Sequence, residues 1–508
     1  MSGSVTSVRT AEAEAGSGDG ANALHFDVLI VGAGISGIGA GYHLTQECPE
    51  KSFVVLEAQE TFGGTWWTHK YPGVRSDSDL FTFGYRFKPW LGAPIASAEE
   101  ILKYMGDVIE ENGLDAHIRY RHRITEASWS TDLRLWTLSV TREDTGERLT
   151  FTTNFLWMCQ GYYRHGEGYT PEWKGFESFG GRIVHPQEWP EDLDYAGKKV
   201  VVIGSGATAA TLIPAIAAET GHVTMLQRSP TFYFVRPNVN ELADTLRELD
   251  IPDEWTHEIV RRKIAKEMDD ITRLSFEEPE FLRDFLLDTI RPLLPEGFDI
   301  DRHFNPTYRP WQQRIAVLPE GDLFVCIREG KVSIVTDQID SFVETGVRLD
   351  SGEVLEADIV ITATGFDMSV LGDVAFSVDG QPVDFAESVT YRGIMFTGLP
   401  NLAYIFGYFR ASWTLRSDLI ADFVCRLLNH MAERGATMVV PSLRDEEAGM
   451  PLGPWVDPEN FNPGYLTRSL HLMPRQGDRE PWRLGHEYSV EKVVLPAADL
   501  DDGALVFK

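Results

Sequence analysis

The sequence predicts an α/β protein built from two Rossmann-like, dinucleotide-binding domains with a helical insertion. Three observations predict it: an apolar strand running into a glycine cluster and then a helix, the same pattern a second time, and a late buried strand, ADIVITATGFD.

The first unit is FDVLIVGAGISGIGAGYHL, with a strand over Asp27 to Val31 followed by Gly32, Gly34, Ser36 and Gly37 at the head of a helix. Gly32 suits the tight turn, Gly34 lets the backbone approach a pyrophosphate, and Gly37 lets helix and strand pack closely. The next strand, SFVVLEA, ends in Glu57, twenty residues past Gly37, where a carboxylate accepts the ribose hydroxyls of an unphosphorylated adenosine. FAD is the expected ligand.

The second unit is KKVVVIGSGATAATL, with Gly204, Gly206 and Ala209 in the three positions and Thr208 between them. Its following strand, HVTMLQRSP, carries Gln227 where the first carries a carboxylate, with Arg228 and Ser229 beside it. A carboxylate there repels a 2′-phosphate, whereas an arginine and a hydroxyl suit one. The second site is therefore expected to prefer NADPH to NADH.

Elsewhere, Asn238 to Pro310 is rich in Glu, Leu, Arg and Asp and reads as a helical insertion. Ser97-Ala98-Glu99-Glu100 forms a capping box ahead of a helix running to about Asn112. After the expected strand NLAYIFGYFR, the residues Leu415, Leu419, Phe423, Leu427 and Met431 recur every four positions, which predicts an amphipathic helix opening at Ser412 or Trp413. The dipole at its start is suited to negative charge on a reduced flavin. Trp413 reads either as a pocket wall or as a packing residue. The expected boundaries are a disordered tail over 1–24, an FAD domain over 25–160 and 387–508, an NADPH domain over 161–237 and 312–386, and the insertion over 238–311.

Composition narrows the partners. The 46 basic and 77 acidic residues leave a formal charge of −31, which argues against nucleic acid or an anionic membrane surface. Cys48, Cys159, Cys326 and Cys425 contain no C-x-x-C pair, so neither a disulfide framework nor a dithiol redox centre is expected. No H-E-x-x-H or clustered ligand set suggests a metal. The charge-free stretch from Val200 to Ala218 turns at a glycine cluster and contains Pro214, so it reads as strand into helix rather than as a membrane span. The first twenty residues lack the apolar core of a secretory signal, and the protein reads as cytoplasmic.

Two further stretches name the chemistry. Phe179, Gly181, His185, Trp189 and Pro190 fit F-x-G-x-x-x-H-x-x-x-W-P, and Gly64, Trp66, Tyr71, Pro72, Gly73 and Asp77 fit G-x-W-x-x-x-x-Y-P-G-x-x-x-D, with Thr65 inside the second motif. On these the chain resembles the type I Baeyer–Villiger monooxygenases. The phrases RSDSDLFTFGYRFKPW, YRPWQQR, LPEGDLF, NPGYLTRSL and PWRL bring it nearest the ethionamide-activating subgroup, from about residue 25 onward.

The resemblance implies an FAD enzyme that takes electrons from NADPH and inserts an oxygen atom from O2 into ketones through a C4a-peroxyflavin, giving esters or lactones. Sulfide and thioamide oxidation are implied alongside. It makes Arg314 the active-site arginine and Asp77 the carboxylate that positions it. A fixed cation keeps the peroxide deprotonated and stabilises the adduct, and arginine suits this because it keeps its own proton. The fingerprint is placed at the hinge between domains, where His185 reads first as a structural residue bonding linker backbone and second as a general base. Ala363, Thr364 and Gly365 resemble the return segment of two-dinucleotide flavoproteins, and residues 63–77 are expected to form a loop over the flavin. One departure stands out: better-known relatives carry a lysine before the arginine, whereas this chain has Gln313. The competing readings are a flavin monooxygenase acting mainly on sulfur or nitrogen, an uncoupled NADPH oxidase, and a flavin-binding redox sensor without catalysis.

Overall fold

The computed structural model describes residues 23–508. The tail expected over 1–24 lies outside them except for its last two positions, and Leu24 already belongs to a strand. Two parallel-cored sheets organise the chain.

The larger sheet takes β1 (Leu24–Val31), β2 (Phe53–Leu56), β3 (Ile118–Arg119), β4 (His122–Ser130), β5 (Leu135–Arg142) and β6 (Arg148–Met158). The smaller one is β7 (Arg182–Val184), β8 (Lys199–Ile203), β9 (His222–Gln227), β10 (Val332–Thr336) and β11 (Ile359–Thr362), in the order β10-β9-β8-β11-β7, all parallel. The chain then returns to the larger sheet with β12 (Ala375–Val378), β13 (Gln381–Pro382) and β14 (Leu402–Tyr404). Its order is β13-β12-β4-β5-β6-β1-β2-β3, and β14 pairs with the far end of β6.

Strand alternation sorts the core. In β1, Val28 and Ile30 pack into one apolar cluster while Leu29 and Val31 pack into another; in β8, Val200 and Val202 part from Val201 and Ile203 in the same way. Both sheets are thus covered on two faces, which explains the nearly unbroken apolar runs of their central strands. Helix α1 (Ile35–Glu47) follows β1, helix α2 (Ala98–Glu111) begins at the Ser97–Glu100 capping box, and α3 (Ala207–Ile216) follows β8.

The insertion is helical, with α4 (Asp253–Glu277) and α5 (Pro279–Ile290) as its longest members. The strand pair Tyr233–Arg236 and Ala316–Pro319 brackets it. It docks on the larger lobe through Arg261, whose buried Nη1 donates to the carbonyls of Phe81, Thr82 and Gly84 at 3.2, 3.0 and 2.8 Å. Helix α6 (Trp413–Arg434) follows Ser412 and buries the face carrying Leu415, Phe423, Leu427 and Met431. Among the described residues no helix is long and apolar enough to cross a membrane.

Three details differ from the sequence reading. The return to the larger sheet falls at residue 375, not 387, because the edge of β4 pairs with β12. The strand expected over NLAYIFGYFR shrinks to Leu402–Tyr404, the residues held in register beside β6. The loop over 63–77 contains a short helical turn, Thr65–Thr68.

Candidate active site

Each glycine loop is built by contacts that exclude a side chain. A Cβ on Gly37 would overlap the carbonyl oxygen of Gly32, and one on Gly204 would overlap the carbonyl oxygen of Ala363. Gly32 and Gly204 also hold φ of 96° and 127°, a region that favours glycine. Gly34 lies against Gly64, where an added Cβ would sit 3.2 Å from the Gly34 Cα, so the second motif closes on the first glycine turn. Gly206 faces open space at the start of α3, with no atom within 4 Å of an added Cβ.

Glu57 is buried at the end of β2, and burial is the main cause raising its pKa. Its carboxylate accepts the Ala33 N–H at 2.7 Å and the Gln59 N–H at 2.8 Å, fixing the glycine turn. In the second unit Gln227 points inward, its Nε2 donating to the His303 carbonyl at 2.7 Å. Arg228 and Ser229 are left exposed, and no ion pair engages Arg228 among the described residues. An inward carboxylate in the first loop, and an open helix N-terminus with an exposed arginine in the second, fit an unphosphorylated and a phosphorylated nucleotide respectively.

The segment RSDSD crosses between the lobes with a period of two. Arg75 pairs with Asp322 at 2.7 Å, Asp77 with Arg314 at 3.2 Å, and Asp79 with Arg236 at 2.5 Å. Asp79 is buried, and desolvation, opposed by Arg236, raises its pKa. Arg314 has 37% of its side chain exposed, and Asp77 is the first cause holding its pKa above the ordinary arginine value. Gly73 and Tyr71 of the same segment pack on α3, with the Thr211 hydroxyl 3.3 Å from the Tyr71 oxygen. The loop thereby serves as a contact between lobes as well as a cover for the glycine turn.

Trp413, the first residue of α6, donates its Nε1–H to Ser36 Oγ at 2.7 Å and stacks on Tyr162 at 5.2 Å. The neighbouring Ser412 hydroxyl meets Thr82 Oγ1 at 2.7 Å and so does not cap the helix. Tyr162 shares a hydrogen bond with Tyr163 (2.8 Å between hydroxyls), and Tyr163 packs edge-on against Tyr465 at 5.5 Å. These tyrosines face the Arg314 charge, which opposes the rise that burial causes in their pKa values. The sequence reading missed them as site residues, although Tyr465 lies in NPGYLTRSL.

The fingerprint residues lie at the crossing between lobes. There Tyr163–Gly168 pairs antiparallel with Phe366–Met368. His185 accepts the Gln187 N–H at Nδ1 and donates from Nε2 to the Gly365 carbonyl, both at 3.2 Å, while burial lowers its pKa. Thr364 Oγ1 donates to the Tyr169 carbonyl at 2.6 Å, tying the two crossing strands. Phe179 is buried against Phe342, Gly181 has no room for a side chain beside Phe179, and Trp189 packs edge-on against Tyr195 ahead of Pro190. Trp66 meets Phe83 edge-on, while Thr65 and Thr208 stand at the first turns of their helices.

Comparison with known proteins agrees with this geometry. A family model described as an NAD(P)-binding Rossmann-like domain matches residues 30–89, and one described as flavin-binding monooxygenase-like matches 94–240. The FAD-containing monooxygenase EthA of Mycolicibacterium smegmatis is 46% identical over 95% of this chain and 97% of its own length. EthA of Mycobacterium tuberculosis is also 46% identical, over 95% and 98%. In fold the chain is similar to a steroid monooxygenase bound to NADP (TM-score 0.75, 22% identity, 95% and 99% covered). It is similar in the same way to a cyclohexanone monooxygenase bound to ε-caprolactone (TM-score 0.75, 19% identity, 95% and 100% covered). With relatives this near over almost their whole length, and a flavin-binding monooxygenase-like stretch behind the first glycine turn, the chain belongs to the family of FAD-containing monooxygenases.

Proposed function

We propose that this enzyme uses NADPH and O2 to convert ketones into esters or lactones, and oxidises sulfides and thioamides as well. The observation that carries the reading is Arg314, held by Asp77 against a tyrosine wall and beside the Trp413–Ser36 contact. Bound FAD supplies the oxygen-activating centre and NADPH the reducing equivalents. Arg314 keeps a positive charge where negative charge develops on the transferred oxygen, and Asp77 sets its direction. Tyr162, Tyr163 and Tyr465 wall one side of that charge, which lowers the local dielectric there and strengthens its field.

In this reading the larger lobe holds FAD with the Glu57 loop, and the smaller lobe holds NADPH with Arg228 and Ser229. The FAD domain takes up the chain again at about residue 375, and the insertion caps the substrate channel. Four free thiols and a need for NADPH suit the cytoplasm. The test is aerobic NADPH consumption by FAD-loaded protein with 2-octanone or phenylacetone, with product analysis. Ester matching the NADPH consumed supports the proposal; hydrogen peroxide alone, with coupled turnover only on sulfides or amines, overturns the ketone reading.

A further inference from the structure

We propose that His43, Glu47 and Asp422 form a divalent-cation site, taking Zn2+, that clips helix α1 to helix α6 on the side of the larger lobe away from Arg314. His43 and Glu47 stand one turn apart on α1; Asp418 and Asp422 stand one turn apart on α6, and the two helices pack together. Nδ1 of His43 lies 2.8 Å from Glu47 Oε1 and 3.2 Å from Asp422 Oδ1. All three ligand atoms lie within 4.8 Å of one another.

Ligands around a tetrahedral zinc at bond lengths of about 2.0–2.2 Å stand roughly 3.4 Å apart, so shifts of well under an ångström for the histidine pairs would admit the ion, with release to solvent of the Nδ1 proton now shared with the carboxylates. The other ring nitrogen, Nε2, is shielded from solvent and has no hydrogen-bond partner, with Asp418 Oδ1 4.0 Å away. Asp418 is itself held by Arg261 Nη2 and the Arg86 N–H, both at 3.1 Å. Closing the gap to Asp418 by about 1 Å would give Nε2 the carboxylate partner that orients a metal-bound histidine.

A second observation points to the same place. A cavity of about 620 Å³ opens between α6 and the C-terminal segment, and Glu47 and Asp422 form part of its wall. It gives an ion a route from solvent and leaves room for water as the remaining ligand. Both carboxylates reach it, with 39% and 49% of their side chains exposed. One imidazole with two carboxylates selects Zn2+ over Mg2+, because Mg2+ favours oxygen alone.

The site joins two helices whose first turns meet through Ser36 and Trp413, so the ion would brace the frame of the first glycine loop.

The experiment is calorimetric titration of chelator-treated, FAD-loaded full-length protein with ZnCl2 and, separately, MgCl2. The expected result is one equivalent of Zn2+ bound at least ~100-fold more tightly than Mg2+, with His43→Gln weakening zinc at least ~10-fold. Glu47→Gln, on the half-exposed carboxylate, should weaken it as well, and serves if His43→Gln fails to retain FAD. Zinc should also raise the melting temperature of the unmodified enzyme and not that of Glu47→Gln. No zinc binding up to about 1 mM, equal binding of both ions, or zinc affinity unchanged in the variants would overturn the proposal.

Discussion

Arg314 reaches Asp77 across the junction of the two lobes, with its Nη2 lying 3.2 Å from both carboxylate oxygens. Two more ion pairs flank it, Arg75–Asp322 and Asp79–Arg236, so three alternate residues of one short segment grip the opposite lobe. Removing Arg314 therefore removes charge from the site without removing the attachment of the segment. For Arg314→Ala we expect NADPH oxidation to persist while ester formation falls at least ~100-fold, measured by product yield per NADPH consumed. Retained ester yield would exclude an electrostatic role for this arginine.

Among the described residues no carboxylate pairs with the exposed Arg228, as suits a residue kept for a ligand's phosphate. Arg228→Ala should raise the KM for NADPH at least ~10-fold and leave that for NADH nearly unchanged, as steady-state kinetics with each cofactor will show. Equal changes for both would mean that the 2′-phosphate is read elsewhere.

Gly37→Ala places a methyl group into the carbonyl oxygen of Gly32. Backbone on both sides of that contact is fixed by β1 and α1, so neither partner can retreat cheaply. The variant should purify without FAD, read directly from the flavin absorbance per mole of protein. A full flavin complement would show the turn to be more compliant than its packing suggests.

Arg416 is wholly buried at the core of α6, donating to both oxygens of Glu491 at 2.8 and 3.0 Å and to the carbonyls of Phe406 and Arg392. Glu491→Leu leaves that cation without its counter-charge, which costs about 3–5 kcal/mol. The melting temperature should fall by several degrees, and the C-terminal segment should become protease-sensitive; an unchanged melting curve would contradict this.

His257 anchors the insertion: its Nδ1 accepts the Trp90 N–H and its Nε2 donates to the Tyr85 carbonyl, both at 3.2 Å. Burial lowers its pKa to about 4, so the folded protein keeps it neutral where the unfolded chain takes up a proton. Unfolding then binds more protons, and stability falls as pH drops from about 6.5 to about 4, with the full loss reached below that. His257→Gln should flatten the dependence of melting temperature on pH across this window. If the slope is unaltered, other histidines carry it.

Much of the fold was legible because its determinants are local. A tight turn into a helix needs glycine at Gly32 and Gly37 whatever surrounds it, and the capping box at Ser97 is closed within four residues. The spacing of Leu415, Phe423, Leu427 and Met431 likewise marks a buried helical face from sequence alone.

By itself, then, the sequence determined the two nucleotide loops, the family motifs and the arginine–aspartate pair proposed at the centre. Tertiary structure alone decided what meets across the lobes. The Asp79–Arg236 and Arg75–Asp322 pairs, the tyrosine wall around Arg314, and the return to the larger sheet at residue 375 rather than 387 belong to this second class. Their partners lie far apart in the chain, so no local periodicity or turn preference marks them. The pairings arise only when the packing of two sheets has fixed which surfaces face each other.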